Sequence, residues 1–398
     1  MRIVFFSIVT PYKENRGGPS GHPYHLLAAR PKDTEVIIYS FNNNHLTAEE
    51  IAMVEKELKL EIHLLDFQRW IRSVLSPWLK FVRIFLKYPI YNYARITDAT
   101  ISEVQTLKPD ALWFYGQELS KIIRQLPGYK TVFTIADCYT FHFYRRLSLN
   151  LTVGNTLEFI KVMLNYRKYY KMEQDYPCEN VTFHTVGMED KRFLNRINPN
   201  LEVRFIRHPH YEIASPAKVV KFGEPRIKLL IAGRYDLYSW QAGDELVEAL
   251  CSTDSDVRDS FEITILGKGW ESHYNRLLEH GWKAELISFA PDYIKEITRH
   301  DIQINPLSLG TGTKGKVLDG LANGLLLIGT RYALENIAVK DGESCIEYDD
   351  ASEVVAVLKD IIEHRGKYEQ MAEAGRDAVL LEHSKSKVAA EFFELFLK

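Results

Sequence analysis

The sequence has few cysteines and no long apolar run, and both absences narrow the kind of protein it can be. No two cysteines form a CxxC pair, which argues against a zinc site and against a disulfide framework. We therefore expect a reducing, cytoplasmic setting. No run of about 18 apolar residues occurs, so no membrane-spanning helix is expected. The four cysteines are Cys138, Cys178, Cys251 and Cys345.

An excess of charge of one sign is also missing, because 50 Lys and Arg stand against 53 Asp and Glu, for a formal net charge of -3. This gives no general reason to expect a nucleic-acid partner. Hydrophobic residues make up 46% of the chain and charged residues 26%, as in ordinary globular proteins. Since 398 residues exceed the roughly 250 to 300 at which one core stops growing, we expect two domains.

Short β-branched or aromatic runs alternate with longer amphipathic stretches, and the alternation occurs in two series. This rhythm is typical of βαβ units on a parallel sheet, so the sequence predicts an α/β fold. The predicted strands of the first series are Ile3–Val9, Glu35–Tyr39, Ala111–Tyr115, Thr131–Ala136, Val181–Thr185 and Glu202–Ile206. Those of the second are Ile227–Ala232, Phe261–Leu266, Ala284–Ser288, Ile302–Asn305 and Leu325–Gly329.

A segment rich in proline, glycine and histidine separates the two series and has no periodicity. We expect a first domain at 1–207, a hinge at 208–225, a second domain at 226–383 and a terminal helix at 384–398. Two doubly wound domains joined in this way leave a cleft at the carboxyl ends of their strands, where open α/β sheets bind ligands. The pattern of the terminal helix does not indicate which domain it packs on.

The most informative segment is the loop that follows the strand ending near residue 306 and leads into a helix. Gly310 and Gly312 allow a ligand to approach the backbone closely, and the helix N-terminus attracts an anion. Thr311, Thr313 and Lys314 add two hydroxyls and a positive charge. The loop therefore suits a phosphate or diphosphate, although a plain glycine-rich turn with a solvated lysine has the same composition. It is not a P-loop, which requires Ser or Thr directly after the lysine.

Residues 310–324, GTGTKGKVLDGLANG, resemble the donor-binding motif of GT-B fold glycosyltransferases. The resemblance is strongest to the retaining family 4 enzymes (glycosyl transferases group 1), with the motif G-(S/T)-G-T-K-x-K-V-L-E-A-x-A-x-G. The positions in register are Gly310, Gly312, Thr313, Lys314, Lys316, Val317, Leu318, Ala322 and Gly324.

This resemblance implies two Rossmann-like domains that face each other across a cleft, and a hexosyltransferase-type enzyme that uses a UDP-, GDP- or TDP-sugar. Gly312, Thr313, Lys314 and nearby amides would hold the donor diphosphate. Asp319 would bind the ribose hydroxyls, where the family usually has a glutamate. Thr311, also counted among the donor contacts, stands at the first glutamate position of the family's frequent E-x7-E pattern.

Three other turns of the second series resemble donor contacts of the same family. Gly233 ends a strand and lets Arg234 reach the cleft, where a guanidinium can engage phosphate through two hydrogen bonds. Gly267 lies where the family has a G-x-G turn under the nucleotide, and Phe289 lies where the family contacts the base. An ordinary surface arginine and a core-packing phenylalanine are the alternatives.

In the first series the resemblance points to acceptor-side residues. Gly17 and Gly18 form a Gly-Gly loop that in the family lies against donor phosphate and acceptor. Asp137 follows a strand at the carboxyl edge, where a carboxylate can orient or deprotonate an acceptor hydroxyl. Capping of the next helix is its alternative role. We expect His22 and His25 to be structural or surface histidines rather than metal ligands.

A basic and aromatic stretch without Asp or Glu runs from residue 67 to residue 97. Its candidate residues are Arg69, Arg72, Trp78, Lys80 and Arg83, which suit the headgroup layer of an anionic membrane or a lipid-linked acceptor. An ordinary helix pair with a basic outer face is the alternative.

Together these features predict a glycosyltransferase that moves a sugar to a hydroxyl acceptor in bacterial surface polysaccharide or glycolipid synthesis. Asp137, Arg234 and Lys314 are the candidate catalytic residues. No DxD metal motif is evident, so we expect metal-independent transfer with no cofactor besides the donor. A catalytically silent nucleotide-sugar-binding subunit is the main alternative, and an epimerase or phosphorylase on the same fold is a weaker one.

Overall fold

The computed structural model describes residues 1–16, 19–152 and 156–397, without the side chains of residues 80 and 148–152. The chain forms two compact units: unit 1 contains Met1–Pro209 and Lys385–Lys398, and unit 2 contains His210–Ser384. Of the predicted site residues, Gly17, Gly18 and the side chain of Lys80 lie outside the described residues.

The sheet of unit 1 consists of the parallel strands β1 (Arg2–Ser7), β2 (Glu35–Ser40), β3 (Glu61–Leu64), β4 (Ala111–Tyr115), β5 (Thr131–Thr134), β6 (Val181–Thr185) and β7 (Glu202–Phe205). Their order is β3-β2-β1-β4-β5-β6-β7. The chain winds outward from β1 in both directions, which is typical of a doubly wound sheet and makes its carboxyl edge the place for a ligand.

The helices that follow these strands in unit 1 are α1 (Gly21–Ala28), α2 (Ala48–Leu58), α3 (Arg69–Leu75), α4 (Asp98–Leu107), α5 (Ser120–Ile123), α6 (Tyr139–Thr152), α7 (Thr156–Gln174) and α8 (Met188–Ile197). Short 3-10 helices cover Lys80–Phe85, Ile90–Tyr93 and Gln117–Leu119.

Helices cover both faces of the sheet in unit 1, and this explains why its strands are apolar without alternation. Strand β4, with the sequence ALWFY, is buried at every position. Phe114 packs in one core with Phe6, while Trp113 stacks on Phe5 in the opposite core, with ring centroids 4.0 Å apart. Neighbouring residues of one strand therefore belong to two separate cores.

Unit 2 has a second parallel sheet, with the strands β8 (Ile227–Ala232), β9 (Phe261–Leu266), β10 (Ala284–Ile287), β11 (Ile302–Asn305), β12 (Leu326–Gly329) and β13 (Ile346–Glu347). Their order is β10-β9-β8-β11-β12-β13. The helices are α9 (Trp240–Cys251), α10 (Ser255–Ser260), α11 (Glu271–Glu279), α12 (Tyr293–Ile297), α13 (Gly315–Ala322), α14 (Arg331–Leu334), α15 (Ala351–Glu363) and α16 (Arg365–Glu382).

Two doubly wound parallel sheets confirm the predicted α/β fold class. Two strands escape the sequence analysis for physical reasons. Strand β3 lies at a sheet edge and has no fully buried residue, so it lacks an apolar signal. Strand β13 has only two residues. Strands β1 and β5 also end two residues earlier than predicted, because the chain leaves the sheet there for the loops at its carboxyl edge.

The segment predicted as a hinge contributes to the core of unit 2. Val220 and Phe222 are buried in its main hydrophobic cluster. The amide of Phe222 donates to Glu369 at 2.8 Å, and the amide of Gly223 donates to Asp301 at 3.0 Å. Much of this segment is therefore held by side chains of unit 2, which the absence of periodicity in its sequence does not reveal.

The last helix, α17 (Lys385–Glu394), packs on the sheet of unit 1. Phe392, Phe393 and Phe396 surround Trp113, with ring centroids 4.8, 6.3 and 6.4 Å away. All three phenylalanines are buried. The C-terminal residues thus complete the core of the first unit, although the chain has built the whole second unit in between.

None of the described helices combines the length and the apolar character that crossing a membrane requires.

Replacing Phe392 with Ala should lower the free energy of unfolding by about 3 to 5 kcal/mol, because it empties a fully buried aromatic site beneath Trp113. Chemical denaturation of the full chain, followed by tryptophan fluorescence, measures the loss. Leu397→Ala is the matched control, since that side chain is 72% exposed and should change stability little. Equal stability of the two variants would contradict this account of α17.

Candidate functional site

The glycine-rich loop between β11 and α13 forms the first part of the candidate site. Gly312 has a backbone φ of +62°, which favours glycine. Its carbonyl accepts a hydrogen bond from the side chain of Asn336 at 3.0 Å. At the start of α13, the amides of Gly315 and Lys316 donate to no backbone carbonyl among the described residues. The helix therefore presents donors and its positive end at the carboxyl edge of the sheet.

Lys314 closes this loop on itself. Its ammonium donates to the carbonyls of Thr311 and Gly312, both at 2.9 Å. A Cβ at Gly310 would lie 2.6 Å from Cε of Lys314, so a side chain there would displace the lysine from this position. Lys314 was predicted to hold the donor diphosphate, whereas in this structure its ammonium binds the loop that carries it.

Lys316 is the cation of the motif that faces the neighbouring turn. Desolvation lowers the pKa of its ammonium; the carboxylates of Asp319 and Asp236 oppose this effect, and the positive charge of Arg234 adds to it. The ammonium also lies 5.8 Å from the ring centroid of Tyr293. Lys316 and Arg234 are therefore neighbours in space, although 82 positions separate them in the sequence.

Neither of these two cations forms an ion pair or a hydrogen bond through its side chain with any residue in the described part of the chain. Arg234 is exposed at the carboxyl end of β8, and Lys316 lies in the first turn of α13. Two like charges held close together, neither of them in a direct ion pair, favour an anion between them. Arg234 was predicted from the sequence as a phosphate contact. Lys316 was assigned no role, although it is one of the positions that match the family's motif.

The turn that carries Arg234 is fixed by contact of backbone against backbone. A Cβ at Gly267 would lie 1.9 Å from the carbonyl oxygen of Gly233, so two glycine turns meet where no side chain fits. The indole of Trp270 donates to the same carbonyl of Gly233 at 2.9 Å. This close contact explains why position 267 is a glycine, which the resemblance to the G-x-G turn does not explain.

A second set of bonds joins the Arg234 turn to the glycine-rich loop. The amide of Ser308 donates to the carbonyl of Tyr238 at 2.8 Å, and the Ser308 hydroxyl accepts from the amide of Ala242 at 2.7 Å. Ser239 donates through its hydroxyl to the carbonyl of Arg234 at 2.9 Å. Both cation-bearing segments are thus parts of one hydrogen-bonded edge of unit 2.

Helix α13 approaches the sheet closely because of one glycine and one buried amide. A Cβ at Gly320 would lie 2.4 Å from Oε1 of Gln303, a fully buried residue of β11. The amide nitrogen of Gln303 donates to the carbonyl of Lys316 at 3.1 Å and to Asn305 at 2.7 Å. These contacts fix the start of the helix, and with it the position of Lys316.

The remaining predicted donor residues border this edge. Phe289 is 73% exposed, so the structure does not use it as a core residue. Asp319 is partly buried on α13, and its charge raises the pKa of Tyr293, where burial is the larger cause. Thr311 and Thr313 are partly buried in the loop.

In unit 1, Asp137 lies partly buried in the loop that follows β5. Other carboxylates serve the start of the next helix: the amide of Cys138 donates to Asp190 at 2.8 Å, and the amide of Tyr139 donates to Glu173 at 2.9 Å. Burial raises the pKa of Glu173 to about 7. Asp190 and Glu173 therefore accept hydrogen bonds at the start of this helix, the role that was the alternative for Asp137.

Buried histidines lie at the same edge of unit 1. His22 is buried and stacks on His208 with ring centroids 4.8 Å apart, and its Nδ1 lies 3.1 Å from the hydroxyl of Tyr115. His184, on β6, is also fully buried. Burial lowers the pKa of His184 to about 3 and that of His208 to about 4, so both rings are neutral at pH 7. His25 is buried too, which leaves a structural role rather than a surface one.

The predicted membrane residues are exposed to different degrees. Trp78 is 88% exposed. Arg72 forms an ion pair with Asp66 at 3.3 Å. Arg83 donates to the carbonyls of Val74 and Leu75 at 3.0 and 2.7 Å, so it caps the end of α3. Arg69 is exposed in the first turn of α3.

One protein-family model matches part of the chain. Residues 229–394 match the model described as glycosyl transferase-like. The match covers 166 of the 398 residues, most of them in unit 2, and ends in α17. Over these residues the match confirms the predicted relationship to glycosyltransferases, and it agrees with the predicted enzyme class. No curated protein sequence matches the chain.

Solved structures similar to the whole chain confirm the GT-B fold. The Anabaena protein Alr3699/HepE in complex with UDP has a TM-score of 0.65 at 11% identity, with 99% of each chain covered. A glycosyltransferase from Rickettsia africae has a TM-score of 0.66 at 11% identity, covering 99% of this chain and 98% of that one. WaaG, a glycosyltransferase involved in lipopolysaccharide biosynthesis, has a TM-score of 0.61 at 14% identity, covering 98% of this chain and 99% of that one.

The buried histidines should make the protein less stable in acid. The pKa of His184 is lowered from 6.5 to about 3 on folding, so the unfolded state binds a proton that the folded state does not. The contribution of His184 to the free energy of unfolding is fully present above pH 6.5. It falls as the pH drops below that value, by about 2 kcal/mol between pH 7 and pH 5.

Denaturant midpoints across this pH range measure the effect as a slope. His184→Asn should flatten the slope even if it lowers stability overall. His45→Asn, at an exposed position of the same unit, should leave the slope unchanged. The histidine account is contradicted if both variants keep the slope of the original chain.

Proposed function

We propose that this protein is a glycosyltransferase that moves a sugar from a nucleoside diphosphate donor to a hydroxyl acceptor. The observation that carries the proposal is the pair of cations, Arg234 and Lys316, at the carboxyl edge of a glycosyl transferase-like domain. The structures of the similar HepE protein contain UDP, UDP-glucose, and UDP with glucose, which supports a nucleotide-sugar donor and a sugar acceptor. We also propose retention of anomeric configuration and a role in bacterial surface polysaccharide or glycolipid synthesis.

A diphosphate suits this pair for electrostatic and geometric reasons. Arg234 offers a planar fork of donors, and Lys316 offers a compact charge beside the open amides of α13. The negative charge of a diphosphate would offset the repulsion between the two cations. Asp319 lies one helical turn beyond Lys316, where its carboxylate can accept hydrogen bonds from ribose hydroxyls. The exposed ring of Phe289 is available to the base.

In the proposed mechanism the acceptor hydroxyl oxygen forms a bond to the anomeric carbon, and the bond from that carbon to the diphosphate oxygen breaks. Arg234, Lys316 and the helix amides stabilise the charge that develops on the leaving diphosphate, the main electrostatic contribution to the rate. Lys314 keeps the loop in shape through its two carbonyl contacts. We assign the acceptor proton to Asp137 and propose that the donor is used without a metal ion.

Removing either cation should weaken binding of the nucleoside diphosphate. Arg234→Ala and Lys316→Ala each remove a charge-assisted hydrogen bond, so we expect the Kd for UDP to rise by about 10- to 100-fold. Titration calorimetry on the full chain measures it. Lys283→Ala is the matched control, because that lysine lies at the opposite edge of the sheet and pairs with Glu262. A Kd unchanged in both site variants would contradict the proposed site.

The same titration with GDP and TDP identifies the base, and turnover of the corresponding sugar nucleotides separates an enzyme from a silent binding subunit. Thr311 and Asp319, which differ from the family's usual glutamates, are the reason to test this directly. Donor binding without any turnover would favour the silent subunit.

We further propose that unit 1 contacts an anionic membrane from the cytoplasmic side, as a lipid-linked acceptor would require. The 3-10 helix Lys80–Phe85 and the turn before it expose aromatic side chains: Trp78 is 88% exposed, Phe85 82% and Phe81 56%. Arg69 and Arg72 add positive charge nearby. Exposed aromatic rings with basic neighbours are typical of interfacial binding.

One face of α7 extends this surface. The ammonium of Lys168 donates to the carbonyl of Arg83, which holds α7 beside the 3-10 helix. Leu157 is 81% exposed, Ile160 49% and Met163 42%, at spacings that place them along one side of the helix. The apolar surface is therefore larger than the basic stretch of the sequence indicates.

Reversing three charges should abolish binding to vesicles that contain anionic lipid. The change Arg69→Glu, Arg72→Glu and Lys80→Glu avoids Arg83, which caps α3. We expect flotation with phosphatidylglycerol vesicles to be lost, because each basic residue contributes about 1 kcal/mol near such a surface.

The control reverses three exposed charges elsewhere in unit 1, namely Lys32, Lys56 and Arg192, and should still float. Equal flotation of the two triple variants would remove the membrane proposal and leave the ordinary helix pair as the explanation.

A further inference from the structure

The position of Arg234 depends on Tyr235, its neighbour in the sequence. The guanidinium forms no hydrogen bond or ion pair with the described residues, so the backbone of its turn largely determines where it points. Tyr235 follows directly, and its amide donates to the carbonyl of Lys268 at 2.9 Å. Adjacent residues share one peptide plane, so whatever fixes Tyr235 also limits the direction of the Arg234 side chain.

The phenol of Tyr235 is held by a short chain of hydrogen bonds. Its hydroxyl donates to Oδ1 of Asp244 at 2.6 Å, and Nε2 of His273 lies 2.7 Å from the same oxygen. The carboxylate raises the pKa of Tyr235, for which partial burial is the larger cause. Asp244 lies on α9 and His273 on α11, so the chain of bonds joins the turn to two helices.

Aromatic contacts also hold the ring of Tyr235. The ring of Tyr235 lies 5.0 Å from that of Trp270 and 4.5 Å from that of His273. Trp270 also donates to the carbonyl of Gly233, the residue before Arg234. A Cβ at Gly243 would lie 2.9 Å from the indole, so α9 needs glycine opposite Trp270. The residues on both sides of Arg234 are therefore anchored to the same cluster.

We propose that Tyr235, Asp244 and His273 are positioning residues for Arg234, and that they raise the affinity of the site for a nucleoside diphosphate without touching it. A helix pair that needed only packing would be served by apolar side chains here. The directional bonds to a single carboxylate oxygen instead define one orientation of the turn. This inference rests on the proposed function of Arg234 and adds to it the residues that set its geometry.

Because both bonds end on one oxygen, two substitutions at Asp244 separate position from charge. Asp244→Asn keeps an oxygen that accepts from both partners, and the Kd for UDP should stay within about threefold of the original. Asp244→Leu has a similar size and no acceptor, and the Kd should rise by about five- to tenfold. Asp377→Leu, at an exposed aspartate of α16, should leave the Kd unchanged.

A double-mutant cycle with Arg234→Ala tests whether Asp244 acts through Arg234. In the Arg234→Ala background, Asp244→Leu should have no further effect on the Kd for UDP in titration calorimetry. A loss of the same size in both backgrounds, or no loss from Asp244→Leu in the original chain, would overturn the positioning role alone. An unchanged Kd in Arg234→Ala would overturn the inference, because Arg234 would then not bind the diphosphate; an unchanged Kd in Lys316→Ala as well would overturn the proposed site.

Discussion

The structure of unit 2 is organised around two positive charges that its fold holds together. Arg234 follows one strand, and Lys316 lies in the first turn of the helix after the next strand in the sheet; desolvation, and to a smaller extent the charge of Arg234, lowers the pKa of the lysine. Neither cation forms a direct ion pair, so the repulsion between them costs stability, and an anionic ligand would offset it. Hydrogen bonds and glycine contacts around the pair hold it at the sheet edge where α/β domains bind their ligands.

Close contacts of the backbone help to hold the pair in place, and they depend on glycines. Gly267 lets its turn touch Gly233, and Gly320 lets α13 approach Gln303. The large hydrophobic cores stabilise the sheets, but they do not determine the direction of any one charged group. Unit 1 follows the same division, with aromatic cores on both faces and polar side chains, including buried histidines, at its carboxyl edge.

The buried strands and the glycine-rich loop could be predicted from the sequence, because continuous apolar runs and a motif with many matching positions depend on local structure. The exposed edge strand β3 was not, since it has no fully buried residue. The contrast between Lys314 and Lys316 also needed the structure: both fit the motif, and only the path of the loop shows that Lys314 binds its own carbonyls. The packing of α17 on unit 1 depends on contacts far away in the sequence, which no local pattern contains.

A crystal structure of the full chain with UDP bound would show whether these two cations bind a diphosphate. We expect diphosphate oxygens within hydrogen-bonding distance, about 3 Å, of both the Arg234 guanidinium and the Lys316 ammonium, facing the first amides of α13. A diphosphate bound by other residues, with these two cations left in solvent, would contradict this expectation.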